Sequence, residues 1–490
     1  MEIGSFRIFP RKNRTKVKMS KENELVKNTA IITFGKLCTQ LVSFFLLPLY
    51  TAVLSTAEYG TVDLVLTYSA LCLPFVTLAL EQALFRFLID ARDDQEKCAK
   101  YISTTVFTSV FLTSSVFVVL LIVFCFTGNA LLLLFGLVLF GSVVSAVSLQ
   151  ISRGLGDNVG YTLGSTMSAL VQVLCNVLFL VVFKMGAAGM MLASFVGSLG
   201  CGVVLYARCD LRSYVQVCCI DRKAFRELTR YSLPLVPNQL SWWALNASDK
   251  VIVQLFIGFA GNGLIAVANK FSSVYIQFSN IFNVSWTESV ALHIRDDDAE
   301  QYITKTINTV YRLFLSACCG IIVCMPFVFP IMVNTQYREA YGLIPIFLLA
   351  SLFNVVVSLY GVIYVAYKKT VEIAKTAVYA ATLNVVSHLI LVRYVGIYAA
   401  AISTALGYGG MAFYRYFHSR KYITIKLEVS TLFLSVVMLV ISFMSYYTRS
   451  LGVKIAALAF IVLLCIVINK NILRGMAATV MRKVFRSKMK

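Results

Sequence analysis

Fourteen apolar runs, each near the length of a bilayer crossing, follow one another along this chain, far more than a fold in water could bury. A helix rises about 1.5 Å per residue, so about 20 apolar residues cross a hydrocarbon core of about 30 Å. The runs fall at 28–54, 62–88, 101–126, 129–151, 160–183, 186–207, 230–257, 263–291, 303–332, 341–367, 370–392, 395–417, 427–447 and 452–469. Hydrophobic residues make up 59% of the chain, with a mean hydropathy of +0.80. Charged residues, 14% of the total, gather between the runs. A transmembrane barrel would show short alternating segments instead. The expected fold class is therefore an all-α polytopic membrane protein.

An even number of crossings puts both termini on one side. With residues near the run ends counted in the loops, that side collects 34 of the 44 Lys and Arg, the opposite loops hold 5, and 5 (Lys36, Lys250, Lys270, Arg312 and Lys375) are assigned to the membrane. Cytoplasmic loops carry the excess of Lys and Arg, so both termini are expected in the cytoplasm. The same distribution accounts for the net charge of +21 without nucleic acid. Met1–Lys27 lacks the apolar core and small-residue cleavage site of a signal peptide and reads as a basic tail. The thirteen Cys show no CxxC spacing and sit mostly in apolar runs, as small buried hydrophobes. His293, His388 and His418 are scattered, so no zinc site is expected.

The chain repeats itself. ELVKNTAI (Glu24–Ile31) matches ELTRYSLP (Glu227–Pro234) at an offset of 203, which also aligns Gly60 with Gly263 and Arg92-Asp93-Asp94 with Arg295-Asp296-Asp297. Later the offset is 210, aligning Gly186, Gly197 and Gly200 with Gly396, Gly407 and Gly410. Six crossings separate the copies, so both have one orientation: a parallel repeat of six-helix halves, as in transporters that work by alternating access. The organisation expected is a basic tail (1–24), a six-helix bundle (25–207), a cytoplasmic linker on the membrane surface (208–229), a second six-helix bundle (230–425), two additional helices (426–469) and a basic tail (470–490).

Charge inside a membrane costs several kcal/mol unless paired or wetted, which makes each such residue a candidate site. Asp249 and Lys250 precede the Gly258–Gly263 turn by about seven residues, and Lys270 follows it by seven. A hairpin places all three at one depth, roughly 10 Å below the outer face by helical rise. Asp249 and Lys250 differ by about 100° in direction, so Asp249 is expected to pair with Lys270 and leave Lys250 to substrate, or the reverse. In the first half, Lys36 and Glu81 lie at comparable depth, where a pair would lower the cost of both charges, and Arg86 follows. Such a pair serves structure as well as transport. Trp242, Trp243 and Asn246 could meet sugars, and aromatic packing between helices explains the Trp pair equally well. Trp286 and Glu288 suit interfacial anchoring, Glu372 and Lys375 a local surface pair, and Arg312 a snorkelling side chain.

No GxxxxGK[ST], HExxH or GxSxG motif and no large extramembrane domain is present, so no enzyme and no bound cofactor is expected. Transport driven by a H+ or Na+ gradient, or by substrate flux, is the economical reading. A membrane polysaccharide polymerase or acyltransferase is the alternative from another class, and the short outer loops leave it little room for an active site.

The opening ELVKNTAIITFGKLCTQLVSFFLLPLYTAVLSTAEYGTVDL, then LEQALFRFLIDARDD, and above all YSLPLVPNQLSWWALNASDKVIVQLF with AVANKF, resemble Wzx-type polysaccharide flippases of the multidrug/oligosaccharidyl-lipid/polysaccharide exporter superfamily. The resemblance spans about residues 22–425. It implies two six-helix bundles around a central cavity, with two further helices outside; the internal repeat adds the expectation that the halves rock about a cavity lined by helices one, two, seven and eight. It also implies a bacterial cytoplasmic-membrane protein that moves undecaprenyl-diphosphate-linked oligosaccharide units to the outer leaflet, with polysaccharide assembly proteins as candidate partners. Asp249, Lys250 and Lys270 match charged positions of that family, and Glu81 and Arg86 match less closely. A multidrug/cation antiporter and a lipid II flippase share the architecture. The former needs a carboxylate-dominated cavity, which three Lys argue against.

Overall fold

The structure, a computed structural model, describes residues 40–294, 296–367, 369–426, 428–470 and 474; the side chains of 238, 241, 242, 244–246 and 370 lie outside that description. The described residues form helices joined by short turns and loops, with no strand among them. In the first half lie α1 (Leu47–Val53), α2 (Thr56–Val76), α3 (Leu80–Ala91), α4 (Gln95–Thr127), α5 (Ala130–Gly154), α6 (Asn158–Val177) and α7 (Gly186–Arg208). A short surface helix, α8 (Arg222–Ser232), leads to α9 (Leu235–Phe256), α10 (Phe259–His293), α11 (Ala299–Met332), α12 (Ala340–Ala366), α13 (Thr370–Val395) and α14 (Tyr398–Ser419). The chain then adds α15 (Val429–Tyr447) and α16 (Leu451–Ile468).

Ten of these helices are long and apolar enough to cross a membrane. The short α1, the charge-bearing α9 and α10, and α14 complete the fourteen segments. We call the side that holds the Lys- and Arg-rich loops the basic side and the opposite one the far side.

Local chemistry sets the ends. Ser55 and Glu58 form a capping box at the start of α2. The Asp94 carboxylate accepts from the Lys97 N–H at the start of α4. Gly186 and Gly396, partners in the repeat, hold φ of +57° and +56° and open α7 and α14 in the same way. The packing repeats as well. In the first half α7 lies against α5 and α6, and in the second α14 lies against α12 and α13. The last two helices pack on α11.

Five local expectations need correction. The second run is not one helix over 62–88: it starts earlier, at Thr56, and breaks after Val76, with Leu78 and Ala79 both left-handed, before α3 resumes. The linker expected over 208–229 does not end there: from Arg222 it folds into α8, which runs on to Ser232, buries Ala224, Leu228 and Ser232, and lies against α3 and α4 of the first half. Trp286 is no interfacial anchor, because it is buried and its Nε1 donates to the Leu359 carbonyl at 3.2 Å. Arg312 does not snorkel freely; it pairs with Glu428 ahead of α15. Arg415, counted by sequence with the basic loops, is buried at 4% exposure, its guanidinium donating to the Thr376 hydroxyl and the Val357 carbonyl. Glu372 and Lys375 do form their local pair, at 3.0 Å.

The halves meet at the far side, where α2 lies against α10. Gly60 and Gly263 face each other there. A Cβ on Gly60 would strike the Phe259 carbonyl, and one on Gly263 would strike the Thr56 carbonyl. Thr56 and Phe259 are themselves related by the offset of 203, so the contact is symmetric under the repeat. Only glycine lets two helix backbones approach this closely.

Candidate functional site

Beneath this closure lies a cavity of about 360 Å³. Its position follows from the α9–α10 hairpin. Gly258, at φ +99°, reverses the chain, and Asn262 Nδ2 donates to the Lys250 carbonyl at 2.9 Å, tying the two helices together. Asp249 and Lys250 thus descend one wall and Lys270 the other, and all three line the cavity. The remaining wall comes from Asp63 on α2, Phe347, Ala350 and Ser351 on α12, and Thr404 and Tyr408 on α14. The expected lining by crossings one, two, seven and eight is thereby corrected. Crossings ten and twelve contribute, and none of the described part of crossing one does.

The pairing differs from expectation. Asp249 does not pair with Lys270. Its Oδ1 lies 3.0 Å from His388 Nδ1 on α13, and its Oδ2 accepts from the Thr404 hydroxyl at 2.7 Å. Lys250 is likewise not free. Its Nζ lies 2.8 Å from Asp63 Oδ2 and 3.2 Å from the Thr67 hydroxyl, so it bridges the two halves. The physical reason is the 100° step between neighbouring helix positions. Asp249 points toward α13 and α14, and Lys250 toward α2. Lys270 is left as a cation lining the cavity with no carboxylate at ion-pair distance among the described residues.

The other candidates lie elsewhere. Trp243 Nε1 donates to the Thr67 carbonyl at 2.9 Å, a second tie between the halves. Trp242 and Asn246 sit on α9, with side chains outside the description, and Lys36 falls outside the described residues altogether. Glu81 is 2% exposed and accepts from the Thr77 hydroxyl at 2.7 Å, just past the break between α2 and α3; it does not line the cavity. Arg86 is exposed and pairs at 2.6 Å with Asp90, one turn on. It too is removed from the cavity.

Three residues of the site escaped the sequence reading: Asp63, His388 and Thr404. Asp63 had a signal. It follows Gly60 by three residues, as Lys270 follows Gly263 by seven, so the repeat puts it within about one turn of the Lys270 level. His388 carried one too, as an ionisable residue inside the run 370–392; Thr404 carried none, and only the packing of α13 and α14 on α9 brings both to Asp249.

Electrostatically the cavity balances two carboxylates against two ammonium groups while His388 is neutral. Both carboxylates are engaged and one cation is not. Among the described residues the cavity thus presents one ammonium without a carboxylate partner and no carboxylate without a partner.

The sequence matches the family model described as polysaccharide biosynthesis protein over residues 25–290. A comparison with curated proteins gives no match. Among solved structures, a lipid II flippase, MurJ, in an inward closed conformation superposes with a TM-score of 0.66 at 14% identity, over 91% of this chain and all (100%) of that one. An inward-facing multidrug resistance MATE family transporter of the MOP superfamily gives 0.61 at 14% identity, over 78% of this chain and 94% of that one. An outward-facing MATE transporter gives 0.55 at 12% identity, over 81% and 95%. These likenesses establish the fold.

Proposed function

The chain belongs to the polysaccharide biosynthesis protein family, and from that premise we propose that it carries a saccharide linked to a lipid diphosphate, such as an undecaprenyl-diphosphate-linked oligosaccharide unit, from the cytoplasmic to the outer leaflet of a bacterial cytoplasmic membrane. The basic side is then cytoplasmic. The observation that carries this reading is Lys270, an ammonium facing a cavity in which every carboxylate already has a partner. In a site of low dielectric an unpaired ammonium attracts a diphosphate strongly, and Lys serves phosphate as a point charge. Asn269 and the hydroxyls of Ser272, Ser273 and Thr404 offer hydrogen bonds to sugar along the same lining. The polyprenyl chain stays in lipid while the head passes.

The ties between the halves supply the moving part. Lys250 holds Asp63 across the interface under the glycine contact. A diphosphate entering from the basic side competes with Asp63 for Lys250 and weakens the tie that holds the far side shut. Opening there and closing at the basic side completes an exchange of access. A multidrug cation exporter is disfavoured because, among the described residues, the cavity presents no free carboxylate. A lipid II head would meet the same cations, and membership of the polysaccharide family favours a saccharide repeat unit.

The test is a deletion strain analysed by which face its lipid-linked saccharides occupy. Single units accumulating on the cytoplasmic face are the expected result. Unpolymerised units reaching the outer face would instead assign the chain a role in polymerisation.

A further inference from the structure

Behind the cavity wall, three helices bring together groups that the carriage of an anion does not require. His388 on α13 is fully buried, at 0% exposure, and meets Asp249 on α9, whose side chain is 15% exposed toward the cavity. Thr404 on α14 donates to the other carboxylate oxygen. A carboxylate can only accept, so the ring hydrogen of a neutral His388 sits on Nδ1. That leaves Nε2 as a bare lone pair, and among the described residues this buried atom has no partner. Asn384, one turn earlier on α13, likewise keeps a buried Oδ1 with no partner. A buried, unpartnered basic nitrogen whose other face rests on a carboxylate is a proton site waiting to be filled.

The surroundings decide what filling it does. From α9 the neighbouring charge is Lys250, which is turned to Asp63. On α14, Tyr408 lies one turn beyond Thr404, and the cation Arg415 lies further along, bound to Thr376. The cavity wall on α12 offers only Phe347, Ala350 and Ser351, and α10 offers Lys270. With a neutral His388, the charges of Asp63, Asp249, Lys250 and Lys270 sum to zero. One proton on Nε2 turns Asp249–His388 into a neutral ion pair and leaves the cavity with a net charge of +1.

We infer that His388, held by Asp249 and Thr404, is a proton-binding site linked to the anion site: a proton taken from bulk water onto Nε2 strengthens binding of a diphosphate head, and the bound head strengthens binding of the proton. The reciprocity is a thermodynamic necessity once the two charges interact. This inference rests on the anionic-substrate reading above and assigns it a pH-dependent partner residue.

The test uses the full chain in detergent and a polyprenyl-diphosphate sugar, whose diphosphate diester has no group titrating between about pH 5 and 8. Binding is measured by calorimetry in buffers of different ionisation enthalpy, which counts protons taken up per ligand. The wild-type chain is expected to take up a fraction of one proton per ligand and to bind about 10-fold more tightly at pH 5.5 than at pH 8. His388→Gln, whose amide can still donate to Asp249, is expected to bind without proton uptake and with an affinity independent of pH. Asp249→Asn removes the carboxylate that stabilises the imidazolium and should lose the uptake as well, which keeps the test intact if His388→Gln fails to fold. Equal uptake in wild type and His388→Gln, a pH-independent wild type, or an affinity that follows Na+ at fixed pH would each overturn the proton site. Absence of probe binding at every pH would overturn the anionic-substrate reading, and this inference with it.

Discussion

At the far side the two halves of the chain are alike, and one turn deeper they are not. Gly60 and Gly263 make the same backbone contact in both directions, each against the residue four positions before its partner. Just below, the repeat pairs Asp63 with Ala266 and Thr67 with Lys270, and it pairs Asp249-Lys250 with the apolar Leu46-Leu47. Leu47 is fully buried in the core, whereas Lys250 faces the cavity. Deeper still, α2 breaks at Leu78–Ala79 while α10 runs unbroken through Ile281–Phe282. Closure is a symmetric property that both halves must share, because each forms half of one interface. Recognition needs one site, so the second half keeps most of the charge and the first supplies only Asp63. On the function proposed above, the repeat supplies a moving frame and divergence within it supplies the site.

The symmetry of the closure is the easiest claim to break. Ala at Gly60 or at Gly263 forces the α2 and α10 backbones apart. Overpacking of about 1–3 kcal/mol shifts the closed state by roughly 5- to 150-fold. Transport should fall to a similar extent in both variants, and a cysteine placed beneath the contact should become reactive from the far side. The double variant should be scarcely worse than either single one, since the helices are already parted. Tolerance of one substitution and not the other would dissolve the symmetric contact.

The asymmetric tie below it should respond differently. Asp63→Ala strands Lys250, and Lys250→Ala strands Asp63. Each is expected to cost about 1.5–3 kcal/mol of stability, the range for a hydrogen bond to a charged group, read as a lowered melting temperature in detergent. The double variant should cost less than the two summed, because no charge is then left alone. Additive losses would mean that the pair does not join the halves.

The smallest effect is expected outside the cavity. Arg86 and Asp90, 50% and 65% exposed, form a pair in solvent. Arg86→Ala should change stability by less than about 0.5 kcal/mol and leave transport intact. A large transport defect would return Arg86 to the site, where the sequence reading had placed it.

The sequence made the frame readable because span length, loop charge and the offset of 203 are local or periodic signals. It also brought Asp249, Lys250 and Lys270 to one cavity through a single turn. It could not choose their partners. Lys250 finds Asp63 at a separation of 187 residues, and Asp249 finds His388 at 139. Such choices depend on the rotation of each helix about its axis, which packing sets. Asp63 adjoins Val62, where the second apolar run begins, so hydropathy alone sets it at the end of a crossing, whereas α2 starts at Thr56 and carries it inside. The break at Leu78–Ala79 had no glycine to announce it; Pro74, one turn earlier, is the one breaker nearby.

The most direct test of the account is the flipping rate of Lys270→Ala in reconstituted vesicles carrying a lipid-diphosphate saccharide, at matched protein density and orientation. No intramolecular ion pair is lost, so the melting temperature should hold or rise. Losing a charged contact of about 1.5–3 kcal/mol should slow flipping by roughly 10- to 150-fold, and Lys270→Arg should recover part of it. A Lys270→Ala chain that flips at the wild-type rate would contradict the claim that this free cation carries the anionic head.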